Sequence, residues 1–522
     1  MQTGSKHRSL SQQLRINASS HTGASMTTPQ MASWMPVAGS ADADLLPELG
    51  TLVARSRDIS RNNGIAASGV QTLVDNVVGT GLRLSALPDW KTLGKDAAWA
   101  LAWQRNVETL WREWTKSTFC DAGLSLNFAG LTELMFRSQL LNGDAIALPL
   151  WLKRPGSRFT TTFQLIEADR LCNPNGQPDS ATLRGGIEFD TYGAPQAYWI
   201  RKTHPGDYIG IAGSVAGEWE RIPARTSWGR PRIIHLFDKE RAGQARGKPL
   251  ISSVLQQFRQ LDKYNGAELD AAVINAMMAA FIETPMDSEG LLEMFGGSDG
   301  VNDVMAKRNQ SRAKLKSGSI IPLYPGEKMA PFMPARPAAQ FEAFTVAVMR
   351  QIAASMGLPY ELLLKDFSKT NYSSARAALL EAWRCFRSRR EKLADYWAQV
   401  VYELWLEEVI NAGKVEGADF YQQRAAYTRS KWIGPGRGWV DPLKEIQAAD
   451  VRLKSGISTL EAECAEQGSD WEEVLEQQAR EKAKRAELGL PDPMHPEIPI
   501  VLDDVVTEED AVPSVVEEAA DA

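Results

Sequence analysis

From about Ala375 to Asn411 the chain repeats apolar residues at helical intervals with no breaker inside. Leu379, Trp383, Phe386, Leu393, Trp397, Val400 and Leu404 are separated by steps of 4, 3, 7, 4, 3 and 4, the pattern of one helix face. At about 1.5 Å per residue this helix would run on the order of 55 Å, well beyond the roughly dozen residues of an average helix. Just before it lies a polar loop, Asp366 to Ser374. Ser373 or Ser374 suits the N-cap there, because a hydroxyl accepts a bond from a free first-turn amide. Two more helical patterns precede the loop, about Ser252 to Glu283 and Gln340 to Leu364, with a Gly- and Pro-rich insert between them. The order is helix, insert, helix, polar loop, very long helix.

The chain has 522 residues, too many for one ordinary core, so two or more domains are expected. Residues 1–44 are rich in Ser, Thr, Gln and Ala without a period and read as a disordered tail. Leu45 to Val78 carries helical spacing and ends at Gly79 and Gly81. A Trp-rich helix is predicted over Thr92 to Lys116, and a third over Ala129 to Leu141, stopped by Asn142-Gly143. Short aromatic or β-branched runs then alternate with Gly, Pro and Asn/Asp turns, which predicts a strand-rich sheet over about 143–238. Inside the insert, Ser319 to Leu323 reads as a short strand. After the long helix come a Trp/Gly loop, Trp432 to Trp439, and helical segments from Pro442 to Leu488. The tail beyond, with Pro491, Pro493, Pro496 and Pro499, reads as disordered. The fold class is α+β.

The net charge of −7 conceals a split. Eleven acidic residues and no Lys or Arg follow Arg485, so the rest of the chain stands near +4. That is not a strongly basic nucleic-acid binder. A protein that lets DNA slide past needs a near-neutral lining, because each neutralised phosphate adds salt-dependent adhesion. An ordinary soluble protein with an acidic tail fits the same charge. No run of eighteen apolar residues is present, so no membrane span is expected. Lys6 and Arg8 have no apolar segment behind them, so no signal peptide is expected. Cys120, Cys172, Cys385 and Cys464 are too scattered for a zinc site or a disulfide framework, and read as buried, inert thiols.

Catalytic constellations fail one by one. Gly243-Gln-Ala-Arg-Gly247-Lys248-Pro249 has three residues between its glycines and Pro after Lys, where a phosphate loop needs four and Ser or Thr. It reads as a turn, with Pro249 opening the helix that follows. Gly434-Pro-Gly-Arg-Gly438 lacks a strand–turn–helix frame. His235 sits within an apolar strand as a satisfied sheet residue. Glu167 and Asp169 are placed to hold Arg170 or a cap. No catalytic residue, metal ligand or cofactor is assigned. The basic segment Lys307, Arg308, Arg312, Lys314 and Lys316 is either a solvated face or a contact for DNA or an acidic partner. Arg384, Arg387, Arg389, Arg390 and Lys392 on the long helix read mostly as surface or inter-subunit charges.

Five segments, in order, carry a family resemblance. They are Arg55-Ser-Arg-Asp-Ile-Ser-Arg-Asn-Asn-Gly64 with its continuation to Leu82, Ile234-His-Leu-Phe-Asp238, Gly243-Gln-Ala-Arg-Gly247, Leu323-Tyr-Pro-Gly-Glu327 and Asn371-Tyr-Ser-Ser-Ala-Arg376. Together they resemble lambda-type phage portal proteins. The resemblance implies a non-enzymatic homo-oligomeric ring, typically of about twelve copies, at one procapsid vertex of the virion, assembled in the host cytoplasm. Its implied partners are double-stranded DNA without sequence preference, terminase, capsid and scaffold proteins, and neck or head-completion proteins. It further implies a wing of helices plus sheet over 45–249, a helical stem over 250–284 and 338–365, and a small α/β clip over 285–337. A channel loop follows over 366–374, the long wing helix and its return over 375–444, and a helical crown over 445–490. The acidic segment 491–522 lies outside the resemblance. The candidate channel residues are Lys365, Ser368, Lys369, Thr370, Asn371 and Tyr372. The candidate clip contacts are Lys307, Arg308, Arg312, Lys314 and Lys316. The alternative is a head–tail connector or baseplate protein that never conducts DNA; a packaging nuclease-ATPase is disfavoured by the missing phosphate loop.

Overall fold

A computed structural model describes residues 21–207, 218–277, 280–283, 328–331, 341–368, 370–438 and 441–490. The segment expected as one helix from Leu45 is two, α1 (Ala41–Asn62) and α2 (Gly64–Val77). α1 starts earlier than expected because Ser40 caps it, its hydroxyl accepting the Ala43 amide at 3.1 Å. The break falls at Asn63, whose backbone is extended and whose Oδ1 accepts the amides of Ile65 and Ala66, each at 3.0 Å. One residue thus ends α1 and caps α2. Next come β1 (Arg83–Ala86), α3 (Ala97–Lys116) and α4 (Phe128–Asn142). α3 begins later than its apolar pattern because Asp96 takes the N-cap, accepting the Trp99 amide at 2.7 Å.

The strand-rich region is two antiparallel sheets, not one. The first has the order β3-β2-β8, from β2 (Asp144–Trp151), β3 (Thr161–Ile166) and β8 (Ile234–Phe237). The second runs β4-β5-β6-β7, from β4 (Leu183–Arg184), β5 (Ile187–Phe189), β6 (Pro195–Arg201) and β7 (Trp219–Pro223). Ile146 and Ile166 from the first sheet pack with Ile187, Tyr198, Ile200 and Ile222 from the second in a small core of their own.

α5 (Leu255–Met277) is shorter than its apolar period, which runs on to Phe281. Ala280–Glu283 instead forms β9, paired antiparallel with β10 (Lys328–Pro331). The second helical pattern is also divided, into α6 (Phe341–Met356) and α7 (Tyr360–Leu364). Gly357 adopts φ +71° and the Leu358 amide returns to Ala353 O at 3.0 Å. This left-handed cap ends α6, and Pro359, extended at the N-cap position, starts α7 in a new direction. The very long helix is present: α8 (Tyr372–Leu393), one π-helical turn at Ala394–Ala398, and α9 (Gln399–Asn411) run continuously. A short α10 (Arg424–Tyr427) follows. Trp432, expected in a loop, lies in β11 (Ser430–Ile433), which pairs with β1. The C-terminal helices are α11 (Pro442–Lys454), α12 (Leu460–Glu466) and α13 (Trp471–Glu487).

The main core joins α3, α4, the first sheet and the long helix around aromatic rings. Trp111 lies 5.0 Å from Trp114 and 5.1 Å from Trp405, and Phe163 lies 5.5 Å from Trp397. The indoles of Trp114 and Trp397 are paired, to Thr161 O and Thr132 Oγ1, each at 3.0 Å, as buried indoles require. α13 is held to this body chiefly by charge. Glu473 meets Arg83 and Arg112, and Glu476 meets Arg105 at 2.6 Å. Beneath it, Glu108 lines a groove of about 1030 Å³.

Burial pushes the Glu108 carboxyl up to about 7; the Ala86 amide works against that shift and the nearby Asp470 charge adds to it. The folded state therefore keeps a proton that the unfolded chain releases near 4.5. Stability from this group falls as pH rises from about 4.5 to 7 and is level above. Glu108→Gln keeps an acceptor for Ala86 and removes the ionisation. Its melting temperature should drop less than wild type between pH 5 and pH 8 in thermal circular dichroism.

Candidate nucleic-acid interface

The polar loop hangs between two fixed points. On its near side, α7 buries Leu363 against α2, where Gly69 leaves room for it and for Met356. The Ser68 hydroxyl donates to Leu363 O at 3.4 Å. Lys365 then turns the chain with φ +57°, and its amide closes on Glu361 O. A non-glycine residue in this conformation is uncommon and marks a tightly specified turn. Asp366 Oδ1 accepts the Ser368 amide at 3.0 Å, and the Thr370 amide reaches Phe367 O at 3.2 Å.

On the far side, neither Ser373 nor Ser374 caps the long helix. Asn371 does, its Oδ1 accepting the amide and the hydroxyl of Ser374, each at 2.8 Å. The helix therefore begins at Tyr372 and the loop is shorter than expected. α8 is tied back to α2 by Arg390, which donates to Asn76 O at 2.7 Å and Val77 O at 3.2 Å. Those carbonyls are free ends of α2, so a cation there is favourable. Burial pulls the Arg390 guanidinium down to about 10, and neighbouring Arg387 adds to that.

Lys365, Ser368 and Asn371 are exposed and Thr370 half-buried. Lys369, the side chain of Tyr372 and the basic segment Lys307, Arg308, Arg312, Lys314 and Lys316 lie outside the described residues, as does the expected strand Ser319 to Leu323. Phe367, passed over in a loop read as polar, is 45% exposed at its start. An aromatic side chain beside Asp366 was the available signal.

The other sequence candidates are structural. His235 Nε2 lies 2.8 Å from Asp144 Oδ1 inside the protein. Asp169 pairs with Arg57, not Arg170, and the Arg170 Nε donates to Arg201 O. His204 Nε2 stands 3.6 Å from Glu167 and 3.7 Å from Asp169. Among the described residues no group of three or more His, Cys, Asp or Glu side chains could hold a metal ion. Of the four thiols only Cys120 is fully buried, and burial raises its pKa to about 12. No helix among the described residues is long and apolar enough to cross a membrane.

Two resemblance motifs meet in space at Asp144. Asp144 follows Asn142-Gly143, and its carboxylate receives His235, the Arg246 Nε at 2.7 Å and the Gly247 amide at 2.9 Å. A family model for phage portal proteins of the lambda family matches residues 27–390. The portal protein of Escherichia phage N15 is 32% identical over 497 residues, covering 92% of this chain and 93% of its own. Portal protein B of Escherichia phage lambda is 31% identical over 497 residues, with 92% of each covered. The chain belongs to the lambda family of phage portal proteins. A chain from a solved neck of a gene transfer agent particle aligns at 14% identity and TM-score 0.46, over 85% of this chain and 94% of that one. As a portal protein this chain is a structural component of the phage virion.

Asn371→Ala should cost about 1 kcal/mol by loss of the cap, while Ser373→Ala changes little. Hydrogen exchange at residues 372–376 should quicken only in the Asn371 variant.

Proposed function

We propose that this portal protein assembles into a closed ring of about twelve copies at one procapsid vertex, around a channel for double-stranded DNA. The ring docks the terminase motor during packaging and neck proteins afterwards, and it performs no catalysis itself. The single observation that best supports the ring is the uncovered apolar surface of one copy. α11, α12 and α13 contain no buried residue, while Leu443 is 61% and Ile457 80% exposed. Along α5, Leu269 is 67% exposed. Helices with apolar surface beyond one covered stripe need partners, and neighbouring copies supply them in a ring.

Within that ring the wing comprises 45–249 and 375–444, the stem 250–284 and 338–365, the clip 285–337 and the crown 445–490. The loop faces the channel, with Lys365, Ser368, Lys369, Thr370, Asn371 and Tyr372 towards DNA. Lys369 contributes one positive charge per copy, a contact to phosphate that reads no sequence. The clip segment Lys307, Arg308, Arg312, Lys314 and Lys316 meets DNA or an acidic motor or neck surface.

Light scattering after size exclusion should give a mass near about twelve times the 57.6 kDa chain; a monomer at every concentration and salt would refute the ring. Lys369→Glu should assemble normally and package DNA poorly, because its charge repels phosphate. Full-length genomes at wild-type yield in Lys369→Glu virions would remove the loop from the channel.

A further inference from the structure

Two hairpin tips project from the same end of the four-stranded sheet. β6 starts and β7 ends there, with Ala197 opposite Pro223. The first tip joins β5 to β6, and Asp190 fixes it by accepting the amides of Tyr192 at 2.9 Å and Ala194 at 2.8 Å. Tyr192 at its apex is 95% exposed. The second tip continues β7. The Thr226 amide reaches Arg230 O at 2.8 Å, Gly229 turns with φ +91°, and Trp228 is 68% exposed.

The Trp228 hairpin is braced from below. Arg230 stacks on the Trp151 ring at 3.3 Å from its centroid and pairs with Glu407 of the long helix at 3.2 Å. Arg225 donates to Gly229 O at 2.8 Å and carries no carboxylate partner among the described residues. Arg232, exposed on the return strand of the same hairpin, has none either. Two aromatic side chains on fixed backbone, flanked by guanidinium groups without a carboxylate partner among the described residues, have the composition of a binding hot spot. Their surfaces suit proline rings, which dock on aromatic platforms, next to carboxylates.

The chain itself contains such a ligand. Residues 491–522 carry ten acidic residues and no Lys or Arg, and the stretch Pro491 to Asp504 holds Pro491, Pro493, Pro496 and Pro499 beside Asp492, Glu497, Asp503 and Asp504. We propose that the C-terminal segment Pro491–Asp504 docks on the Tyr192–Trp228 tips, prolines against the rings and carboxylates against Arg225 and Arg232. From Leu490, fourteen extended residues span up to about 45 Å. The acidic tail then acts as a tie on the sheet module and covers its most exposed aromatics.

The test uses the full chain with a benzophenone amino acid at position 227, next to Trp228, and maps photocrosslinks by mass spectrometry. Crosslinks to residues 491–504 are expected. Their yield should fall about tenfold on Trp228→Ala, on Arg225→Glu with Arg232→Glu, and in 0.5 M salt, roughly where screening shortens charge interactions to a few ångströms. All these side chains are exposed, and unchanged circular dichroism will verify folding. Crosslinks that ignore these changes, that fall only on other segments or proteins, or that fail to form overturn the proposal. Tandem mixing of a tagged and an untagged chain separates attachment within one copy from attachment between copies; either pattern supports the docking.

Discussion

The fold depends on one buried carboxylate. Asp144 opens the central strand of the first sheet and is wholly removed from solvent. Burial alone would raise its pKa, but the Arg246 charge and the bonds from His235 and Gly247 outweigh that and hold it below the usual carboxylate range. Arg246 completes its own valence on carbonyls, Leu171 at 2.7 Å, Gly185 at 3.0 Å and Ala168 at 3.0 Å. Ala168 and Leu171 belong to the connection between the two sheets and Gly185 to the β4–β5 turn, so a single guanidinium joins both sheets to the start of the segment leading into α5. The arrangement requires glycine twice. A Cβ on Gly143 would lie 2.5 Å from the Gly247 carbonyl, and one on Gly247 would lie 2.0 Å from Gly143 O. Removing one member strands the other: Arg246→Met leaves the buried Asp144 carboxylate without its guanidinium, held only by His235 and the Gly247 amide, and should cost about 3–5 kcal/mol, measurable by urea unfolding.

From this hub, order passes outward along α2. Asn63 caps α2 and also donates to Asp262 of α5 at 2.7 Å, so α5 is registered at the α2 N-terminus. The middle of α2 receives α7 beside Gly69, and its C-terminal carbonyls receive Arg390 from α8. One short apolar helix thus sets the positions of both ends of the candidate channel loop. Loops held on rigid scaffolds at both ends are suited to repeated contact with a moving ligand, because their own reordering is not required at each encounter.

Much of this was legible in the sequence, and the failures have identifiable physics. α3, α4 and the long helix follow their apolar periods because each buries one continuous stripe in the aromatic core. The α5 period misled beyond Met277 because Phe281 and Ile282 serve a strand as well as a helix, and their partner β10 lies some forty-five residues on, invisible to any local pattern. Gly357 and Pro359 were the correct stop signals for α6, but Leu358, Leu362 and Leu363 continued the apolar count through them. Three cap-forming residues lie within four positions at Asn371, Ser373 and Ser374, and composition cannot say which wins. Asp144 was invisible for a different reason: its partners are separated from it by about ninety and a hundred residues of chain, and the motifs containing them carry no local sign of burial.

Charge decides what the loop can offer. The long helix carries a dense basic run, yet most of it is engaged within the same copy. Arg384 pairs with Glu381, Arg387 with Glu466 and Lys392 with Asp238, while Arg390 is spent on the end of α2. By contrast, Lys365 and Arg376, on either side of the loop, are exposed and have no ion-pair partner among the described residues. Arg389, half-buried farther along, also has no ion-pair partner among the described residues, so the exposed free cations of this stretch, Lys365 and Arg376, flank the loop. For the proposed channel this distribution is the useful one. A narrow belt of cations centres the DNA at one level, whereas a continuous basic lining would release counterions along the whole contact and bind the duplex too tightly to slide.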